Sequence, residues 1–546
     1  MLLTGSHDSS RDAVTSPTLV HGRRPRERAV AGCGAVGAQA EVGTFCLVLH
    51  SHLPWLARHG RWPVGEEWLH QAWAQSYLPL TRLLAELATE GRRDVLTLGV
   101  TPVLAAQLDD PGSLRGAAEW TAGWWLRAAE LAARPEPAVR ELAGVEFRAA
   151  TRALADLAGP WRAGGSPVLG ALAGAGVVEL LGGPATHPFL PLLEPRLTRL
   201  ALRVGRDDAR WRLGAAPGGS WSPECGYRPG LEDLLASEGT THLVLDEATL
   251  AGRSVHTGWR LGGSDVLAVG RDLAVTDRIW SSRTGYPAGG DYRDFHRLDP
   301  ATGFRLHAVD ATGGPRWWSP RRAAAAVARD ADDFVAAVRR RLVDVAARDG
   351  APGLVVAAYD TELFGHWWHE GPDFLARVLR ALPAAGVRLT TLGTALRGDA
   401  AHPPLVGGRA DLGPGSWGAG KDFRVWAGEP VADLRDEAFW VQRRLLDTLD
   451  RERAAGRVSA RREDLDQLVR QGLLVLSSDW AFMVTRDSAA GYARDRAAEH
   501  RRRFHRLAEL VDAAAATGDA GPALREAAAQ RVDDGPFGWL DARALP

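Results

Sequence analysis

The chain has 546 residues and a formal net charge of −1 at pH 7, which excludes a strong overall field that would attract nucleic acid or an anionic membrane. Its three cysteines are too few for a disulfide framework or a four-thiolate zinc site. Because no secretory segment and no run of about 18 apolar residues is found, we expect a cytoplasmic protein without a membrane partner.

The first part of the chain differs from the rest in composition. Residues 1–42 are polar, rich in arginine and without periodicity, and we interpret them as a disordered extension or a start placed too early. From residue 43 to about 400, helical stretches alternate with strand-like apolar runs, which lie at 43–50, 94–100, 177–183, 241–247, 353–360 and 386–393. This alternation predicts an α/β fold with a parallel sheet, whose ligands bind at the carboxyl ends of the strands.

Two regions have helical patterns without strands. Residues 115–163 predict a helical insertion within a catalytic region that spans 43–400. Long helices rich in arginine and glutamate are expected at 431–455, 460–476 and 487–516. They predict an all-helical C-terminal domain over residues 401–546.

The first strand ends in His50 and His52, which share a face because they are two residues apart. Such a pair could bind a metal, or it could donate and accept hydrogen bonds with sugar hydroxyls. No third and fourth metal ligands follow at a recognisable spacing, which favours the sugar. A purely structural role for the pair stays open.

The third apolar run contains Glu179, which needs a partner because an unpaired buried carboxylate is costly. His187 lies in the loop that follows. Either side chain could line a pocket, or both could be structural.

A further carboxylate, Glu224, lies between Trp221 and Arg228 in a segment that also holds a cysteine and a tyrosine. The apolar neighbours would raise its pKa, whereas Arg228 could hold it ionised. An ordinary salt bridge is the alternative to a catalytic role.

The run at 353–360 ends in Asp360, and His366, Trp367 and Trp368 follow closely. Glycoside cleavage needs two carboxyls with different pKa values, and Asp360 with Glu224 form a candidate pair. The chain also has 21 tryptophans against 6 tyrosines, and indole faces stack well on sugars. Core packing is the alternative for one of the two adjacent tryptophans.

Six motifs in chain order resemble those of glycoside hydrolase family 57. Four of them, HSHLPW, GVVELLGGPATHPFLPLL, WSPECGYRPGLEDLL and AAYDTELFGHWWHEGPDFL, are similar to the four regions that mark the family. GSWGAGKDFRVW and SSDWAFMVT are similar to the C-terminal part of its 1,4-α-glucan branching enzymes. The resemblance covers residues 43–510.

The resemblance implies an incomplete (β/α)7 barrel with a helical insertion and a helical C-terminal domain. It implies that Glu224 is the nucleophile, that Asp360 is the general acid/base, and that no metal or cofactor is needed. Together with the analysis above, it gives the candidate substrate-binding residues His50, His52, Trp62, His187, Trp221, Arg228, Trp280, His366, Trp367, Trp417, Trp426 and Trp480.

The activity implied is a retaining transfer of α-1,4-glucan chains to a 6-hydroxyl, with an α-glucan as partner and a monomer or weak homo-oligomer as the assembly. An α-amylase or 4-α-glucanotransferase of the same family is the first alternative. Metal-dependent carbohydrate deacetylases or mannosidases using His50 and His52, and a non-catalytic glucan-binding protein, are more distant ones. The sequence departs from the family pattern in the segment 246–272. This segment is short and lacks the tyrosine-bearing loop of branching members.

Overall fold

The computed structural model describes residues 40–61, 64–309 and 316–545, which belong to one compact unit. Residues 1–39, most of the predicted extension, and Trp62 lie outside the described residues. The domain limits at residues 42 and 400 stay predictions.

The described residues contain ten strands, all in one mixed sheet. The strands are β1 (Gly43–Ser51), β2 (Leu96–Val100), β3 (Val178–Gly182), β4 (Gly219–Ser220), β5 (His242–Leu245), β6 (Gly258–Leu261), β7 (Leu267–Gly270), β8 (Leu354–Asp360), β9 (Val387–Leu389) and β10 (Val406–Ala410). Six of them confirm the predicted runs. The sequence analysis missed β4, β6, β7 and β10.

Seven of the strands form a continuous parallel part of the sheet. β1, β2, β3, β4, β5 and β7 lie side by side in chain order, and β8 pairs with the other edge of β1, all in parallel. Between the two ends of this sheet, the N–H of Asp272 after β7 donates to the carbonyl of Val356 on β8 at 2.8 Å. The fold is therefore the predicted incomplete (β/α)7 barrel. All nine residues of β1 are buried, as expected for the centre of a parallel sheet.

Helices cover the sheet and make up the C-terminal region. Those of the described residues are α1 (Glu66–Ala72), α2 (Leu78–Thr89), α3 (Pro102–Leu108), α4 (Pro111–Leu131), α5 (Pro137–Ala158), α6 (Ser166–Gly174), α7 (Pro195–Leu213), α8 (Leu231–Ser237), α9 (Leu273–Trp280), α10 (Pro320–Asp349), α11 (Gly371–Ala384), α12 (Leu392–Arg397), α13 (Arg424–Ala427), α14 (Ala432–Ala454), α15 (Glu463–Val475), α16 (Ser478–Arg486), α17 (Ala490–Thr517) and α18 (Gly521–Asp533). None of these helices combines the length and apolarity needed to span a bilayer.

The helical predictions agree with the structure to within a few residues. α4 and α5 form the insertion expected at 115–163, and α4 begins earlier because Asp110 accepts a hydrogen bond from the N–H of Ser113 at its start. α14, α15 and α17 confirm the three long C-terminal helices. Glu179 on β3 has a structural role, since it accepts hydrogen bonds from Thr97 and from the N–H of Gly393.

A buried ionic cluster around Asp534 connects the C-terminal segment to the barrel. The fully buried Asp534 carboxylate lies 2.7 Å from His59, which belongs to the loop after β1, and 2.5 Å from Arg503 on α17. It also accepts a hydrogen bond from Gln471 at 2.8 Å. Burial acts to raise the pKa of Asp534, but His500 and His59 outweigh it and hold that pKa well below its ordinary value.

We expect Asp534→Asn to lower the free energy of unfolding by about 3–5 kcal/mol, because it leaves the Arg503 guanidinium without its buried counter-charge. Calorimetric unfolding would measure this loss. The control is Asp436→Asn, which removes an exposed carboxylate paired with Arg435 and should cost less than about 1 kcal/mol. Equal losses in the two variants would contradict the stabilising role of the cluster.

Candidate active site

Side chains from several neighbouring strands surround one cavity of about 790 Å³ at the carboxyl edge of the sheet. His50 on β1 and Asp360 at the end of β8 are register partners. His187 follows β3, Glu224 follows β4, and all four residues line the cavity. The topology therefore brings the two carboxyls selected from the sequence into a single space.

Glu224 lies in a tight, strained turn. Its φ is 62° and that of Cys225 is 50°, so two consecutive non-glycine residues adopt the left-handed conformation. Each such residue costs about 1–3 kcal/mol and persists only where its surroundings hold it. The N–H of Trp417 donates to the Glu224 carbonyl at 2.9 Å and helps to fix the turn.

Both carboxylate oxygens of Glu224 accept hydrogen bonds. The Trp417 indole N–H donates to Oε2 at 2.8 Å, and the Ser478 hydroxyl donates to Oε1 at 3.0 Å. Burial raises the pKa of Glu224 to about 7, although both hydrogen bonds act to lower it. The side chain is thus oriented from two sides and changes its charge near neutral pH.

Asp360 is electrostatically different from Glu224. Burial, together with the negative charges of Glu362 and Glu224, raises the pKa of Asp360 well above its ordinary value, and Arg271 acts in the opposite direction. Glu362, two residues further on, accepts hydrogen bonds from the Tyr77 hydroxyl and from the N–H of His52. The environment therefore keeps a proton on Asp360 at a pH where Glu224 can be ionised, so the two carboxyls differ in charge.

Three histidines are stacked on one side of the cavity. The rings of His52 and His187 lie 3.7 Å apart, and His50 stacks on Trp221 at 4.3 Å. The Nε2 of His52 lies 3.0 Å from Asp479 on α16. Burial, with the other histidines, lowers the pKa of His50 well below its ordinary value. A neutral ring of this kind donates and accepts hydrogen bonds, as sugar hydroxyls require.

The site contains a group of side chains that could bind a metal, and it differs from the pair His50 and His52 considered in the sequence analysis. Among the described residues, His52, His187 and Asp479 offer ligand atoms that lie within 4.8 Å of one another. Each of the two histidines already has hydrogen-bond partners, Thr101 and Asp479 for His52 and Ser478 for His187. That no metal is needed stays a prediction.

Tryptophans form part of the cavity wall, and Trp417 among them bonds to Glu224. Trp417 packs edge-on against Trp221 at 5.1 Å and lies 6.2 Å from Trp280, while the guanidinium of Arg271 lies over its ring at 5.3 Å. Trp280 and Trp367 are 37% and 40% exposed and both line the cavity. Their exposed faces offer surfaces on which sugar rings can stack.

Nine of the residues selected from the sequence line the cavity: His50, His52, His187, Glu224, Trp280, Asp360, His366, Trp367 and Trp417. Of the pair Trp367 and Trp368, the second is core, since it is buried among Phe364, Phe374 and Tyr292.

Four selected residues lie outside the cavity lining. Trp221 is buried beneath His50, and Trp426 is buried in a stack with Phe189 at 4.2 Å. The indole of Trp480 donates to the carbonyl of Leu474 at 2.9 Å inside the helical region. Arg228 donates to the carbonyl of Pro191, and the contacts of the Glu224 carboxylate described above come from Trp417 and Ser478 instead. Trp62 lies outside the described residues.

Several lining residues were not selected from the sequence, among them Glu362, Arg271, Lys421, Asp479 and Phe482. Asp479 belongs to the motif SSDWAFMVT, which identified the C-terminal part without indicating which side chain points to the cavity. Lys421 and Arg271 both bind the fully buried Asp246, at 2.9 and 2.7 Å. The bond between Lys421 and Asp246 fixes the 415–421 loop, which places Trp417 in the cavity wall.

A cavity with two buried carboxyls and tryptophan walls, at the carboxyl edge of a (β/α)7 barrel, is the arrangement of a glycoside hydrolase. The family model of glycosyl hydrolase family 57 matches residues 166–404. The family model of the C-terminal region of 1,4-alpha-glucan branching enzymes matches residues 439–544. The chain is 48% identical over 529 residues to a probable 1,4-alpha-glucan branching enzyme of Mycobacterium tuberculosis, covering 92% of this chain and 98% of the relative.

Solved structures of family 57 branching enzymes are also similar to this chain. A family 57 branching enzyme of Thermococcus kodakaraensis, crystallised with glucose, has a TM-score of 0.85 at 28% identity, covering 92% of this chain and 96% of that one. The corresponding enzyme of Pyrococcus horikoshii has a TM-score of 0.84 at 28% identity, covering 92% and 97%. The chain belongs to glycoside hydrolase family 57 and groups there with the 1,4-alpha-glucan branching enzymes.

Proposed function

We propose that this chain converts α-1,4-linked glucan into branched glucan by a retaining double displacement. The observation that supports it most is the placement of Glu224 and Asp360 in one cavity, with Glu224 held by two hydrogen bonds and Asp360 in a setting that keeps its proton. Its relatives named as branching enzymes supply the substrate class.

In the first step, ionised Glu224 attacks the anomeric carbon while Asp360 gives its proton to the glycosidic oxygen. The bond between the two glucose units breaks, and a β-glucosyl ester forms on Glu224. In the second step, Asp360 accepts a proton from the acceptor hydroxyl, which attacks the same carbon and releases Glu224. With a glucan 6-hydroxyl as acceptor, the product is an α-1,6 branch with the original configuration.

The acceptor decides whether the enzyme branches or hydrolyses. Trp280, Trp367 and Phe482 line the cavity and each remain more than a third exposed, so they can hold an acceptor chain and displace water. Hydrolysis is the second candidate because residues 246–272, which form β6 and β7, lack the tyrosine-bearing loop of branching members. A cytoplasmic location and a monomeric or weakly associating state belong to the proposal.

Incubation with amylose separates the two candidates. We expect proton NMR to show α-1,6 linkages accumulating well ahead of new reducing ends. New reducing ends without new linkages would contradict branching and favour an amylase. Loss of activity on treatment with a chelator, restored by a divalent cation, would contradict the metal-free mechanism.

A further inference from the structure

Ser478, the first residue of α16, connects the catalytic carboxylate to the stacked histidines. Its hydroxyl lies 3.0 Å from Glu224 Oε1 and 3.0 Å from His187 Nδ1. His187 Nε2 lies in turn 3.2 Å from His50 Nε2. Ser478 is 3% exposed, and its N–H donates to the His187 carbonyl at 3.0 Å. A buried chain of four residues therefore leads from Glu224 to His50.

The protons of this hydrogen-bond chain can be arranged in two ways, with every donor pointing towards Glu224 or every donor pointing towards His50. When Glu224 is ionised, Ser478 must donate to it, so the hydroxyl accepts the proton of His187 Nδ1, and His187 Nε2 accepts that of His50 Nε2. This direction leaves His50 Nδ1 without a proton. That nitrogen is buried and has no hydrogen-bond partner. A bare acceptor fits such a position better than an N–H donor, whose burial without a partner is costly.

The reverse direction requires a different charge on the carboxylate. If Ser478 donated to His187, Glu224 would have to be protonated in order to donate to the hydroxyl, and His50 Nδ1 would hold an unpartnered buried proton. Burial lowers the pKa of both His50 and His187 well below the ordinary value, so both rings are neutral and each has a single proton to place. The geometry at His50 thus selects the direction that suits an ionised Glu224.

We infer that Ser478 is a positioning residue that orients Glu224 for attack and favours its ionised form through the hydrogen-bond chain to His187 and His50. The inference rests on the proposed role of Glu224 as nucleophile. It assigns to α16, which lies 254 residues after Glu224 in the chain, a direct part in preparing the reaction.

Other charged groups also act on Glu224 and stay in place when Ser478 is changed. Asp479 on the same helix raises the pKa of Glu224, and His52 after β1 lowers it. Asp360 at the end of β8, Glu362 after it and Arg271 after β7 line the same cavity. Trp417 continues to donate to Oε2. A change in the pKa of Glu224 when the serine hydroxyl is removed can therefore be attributed to that hydroxyl.

The test is the pH profile of glucan cleavage by Ser478→Ala. The acid limb of kcat/KM reports the ionisation of Glu224 in the free enzyme, and we expect it to move up by about one pH unit when a hydrogen bond to the charged form is lost. We expect kcat to fall about fivefold at the midpoint of the wild-type acid limb, and KM to change little. Ser478→Thr, which retains the hydroxyl, should restore the limb.

Ser166→Ala is the matched control, since Ser166 is a buried serine that also donates to a carboxylate, that of Asp109, away from the cavity. It should leave the acid limb unchanged. If Ser478→Ala does not fold, as judged by circular dichroism, Ser478→Cys provides a weaker donor of similar size, for which a smaller upward shift is expected.

An acid limb that stays at its wild-type pH in a folded Ser478 variant would overturn the inference. Cleavage is followed by loss of amylose and branching by α-1,6 linkages, in the same samples. A wild-type enzyme that cleaves without branching would contradict the proposed acceptor and leave the serine test intact. An unmoved limb in an enzyme that branches would contradict only the role of Ser478.

Discussion

Replacing Glu224 with alanine should reduce glucan cleavage by about four to six orders of magnitude, because it removes the carboxylate that forms the glucosyl ester in the proposed mechanism. The fold should survive, since the substitution removes a buried carboxylate from a strained turn rather than a structural ion pair. The melting temperature is therefore expected to stay at or above that of the wild type. Initial rates on amylose, with calorimetry of the same preparation, would measure both effects.

Azide should restore turnover to Glu224→Ala with an α-glucosyl fluoride donor. The small anion can enter the space that the carboxylate leaves and attack the anomeric carbon from the same side. The product expected is a β-glucosyl azide, of inverted configuration, which NMR identifies from its anomeric coupling. This result would distinguish a nucleophile from a residue that only binds substrate.

A matched control is Glu232→Gln. Glu232 is a buried glutamate on α8 that accepts a hydrogen bond from Tyr227 at 2.8 Å and does not line the cavity. Its amide can accept the same bond, so activity should be close to that of the wild type. More than about a tenth of wild-type activity in Glu224→Ala would contradict the role of Glu224 as nucleophile.

Replacing Asp360 with alanine should slow cleavage of amylose by about 10² to 10⁴-fold, the usual contribution of a positioned general acid. The size of the loss should depend on the leaving group. An α-glucosyl fluoride needs little protonation, so formation of the glucosyl ester from it should be nearly as fast as in the wild type. Single-turnover kinetics with the two donors would measure the difference.

The pH profile gives a second expectation for this residue. Glu224, with a pKa near 7, must be ionised, so cleavage by the wild type falls as the pH drops below about 7. Asp360 must be protonated, and its pKa is raised, so cleavage also falls once the pH rises through that value. Asp360→Ala should lose the alkaline limb and keep the acid limb.

Asp411→Asn is the control for this substitution, because Asp411 is exposed at the end of β10 and outside the cavity. It should leave the rates and both limbs unchanged. An equal loss of rate for amylose and for the fluoride donor in Asp360→Ala would contradict its role as an acid.

Much of the barrel was predictable because buried parallel strands have continuous apolar runs. All six predicted runs are strands, and the three long C-terminal helices begin and end within a few residues of their predicted positions. The strands β4 and β10 were not predictable, and β10, with the sequence VGGRA, has no continuous apolar run. β4 has two residues, and it forms a strand only because β3 and β5 lie on either side of it.

The sequence did not show which side chains point into the cavity, and this limited the prediction of the site. Trp417 and Trp426 belong to one motif, yet Trp417 lines the cavity while Trp426 is buried against Phe189. Arg228 lies four residues from Glu224 but donates to the carbonyl of Pro191. Proximity along the chain therefore did not imply contact, because the strained turn at Glu224 directs consecutive side chains to different surroundings.

The sequence by itself determined most strands of a parallel sheet, since apolar periodicity is a local property. Its motifs supplied the family resemblance that implied the barrel and the pair Glu224 and Asp360. Only the tertiary structure decided which tryptophans line the cavity and which groups hold the carboxyls. Ser478 and Asp479 reach the site from a helix more than a hundred residues beyond Asp360, and their motif gives no direction for either side chain. Burial and hydrogen-bond partners depend on contacts between distant segments, and those contacts exist only after the chain has folded.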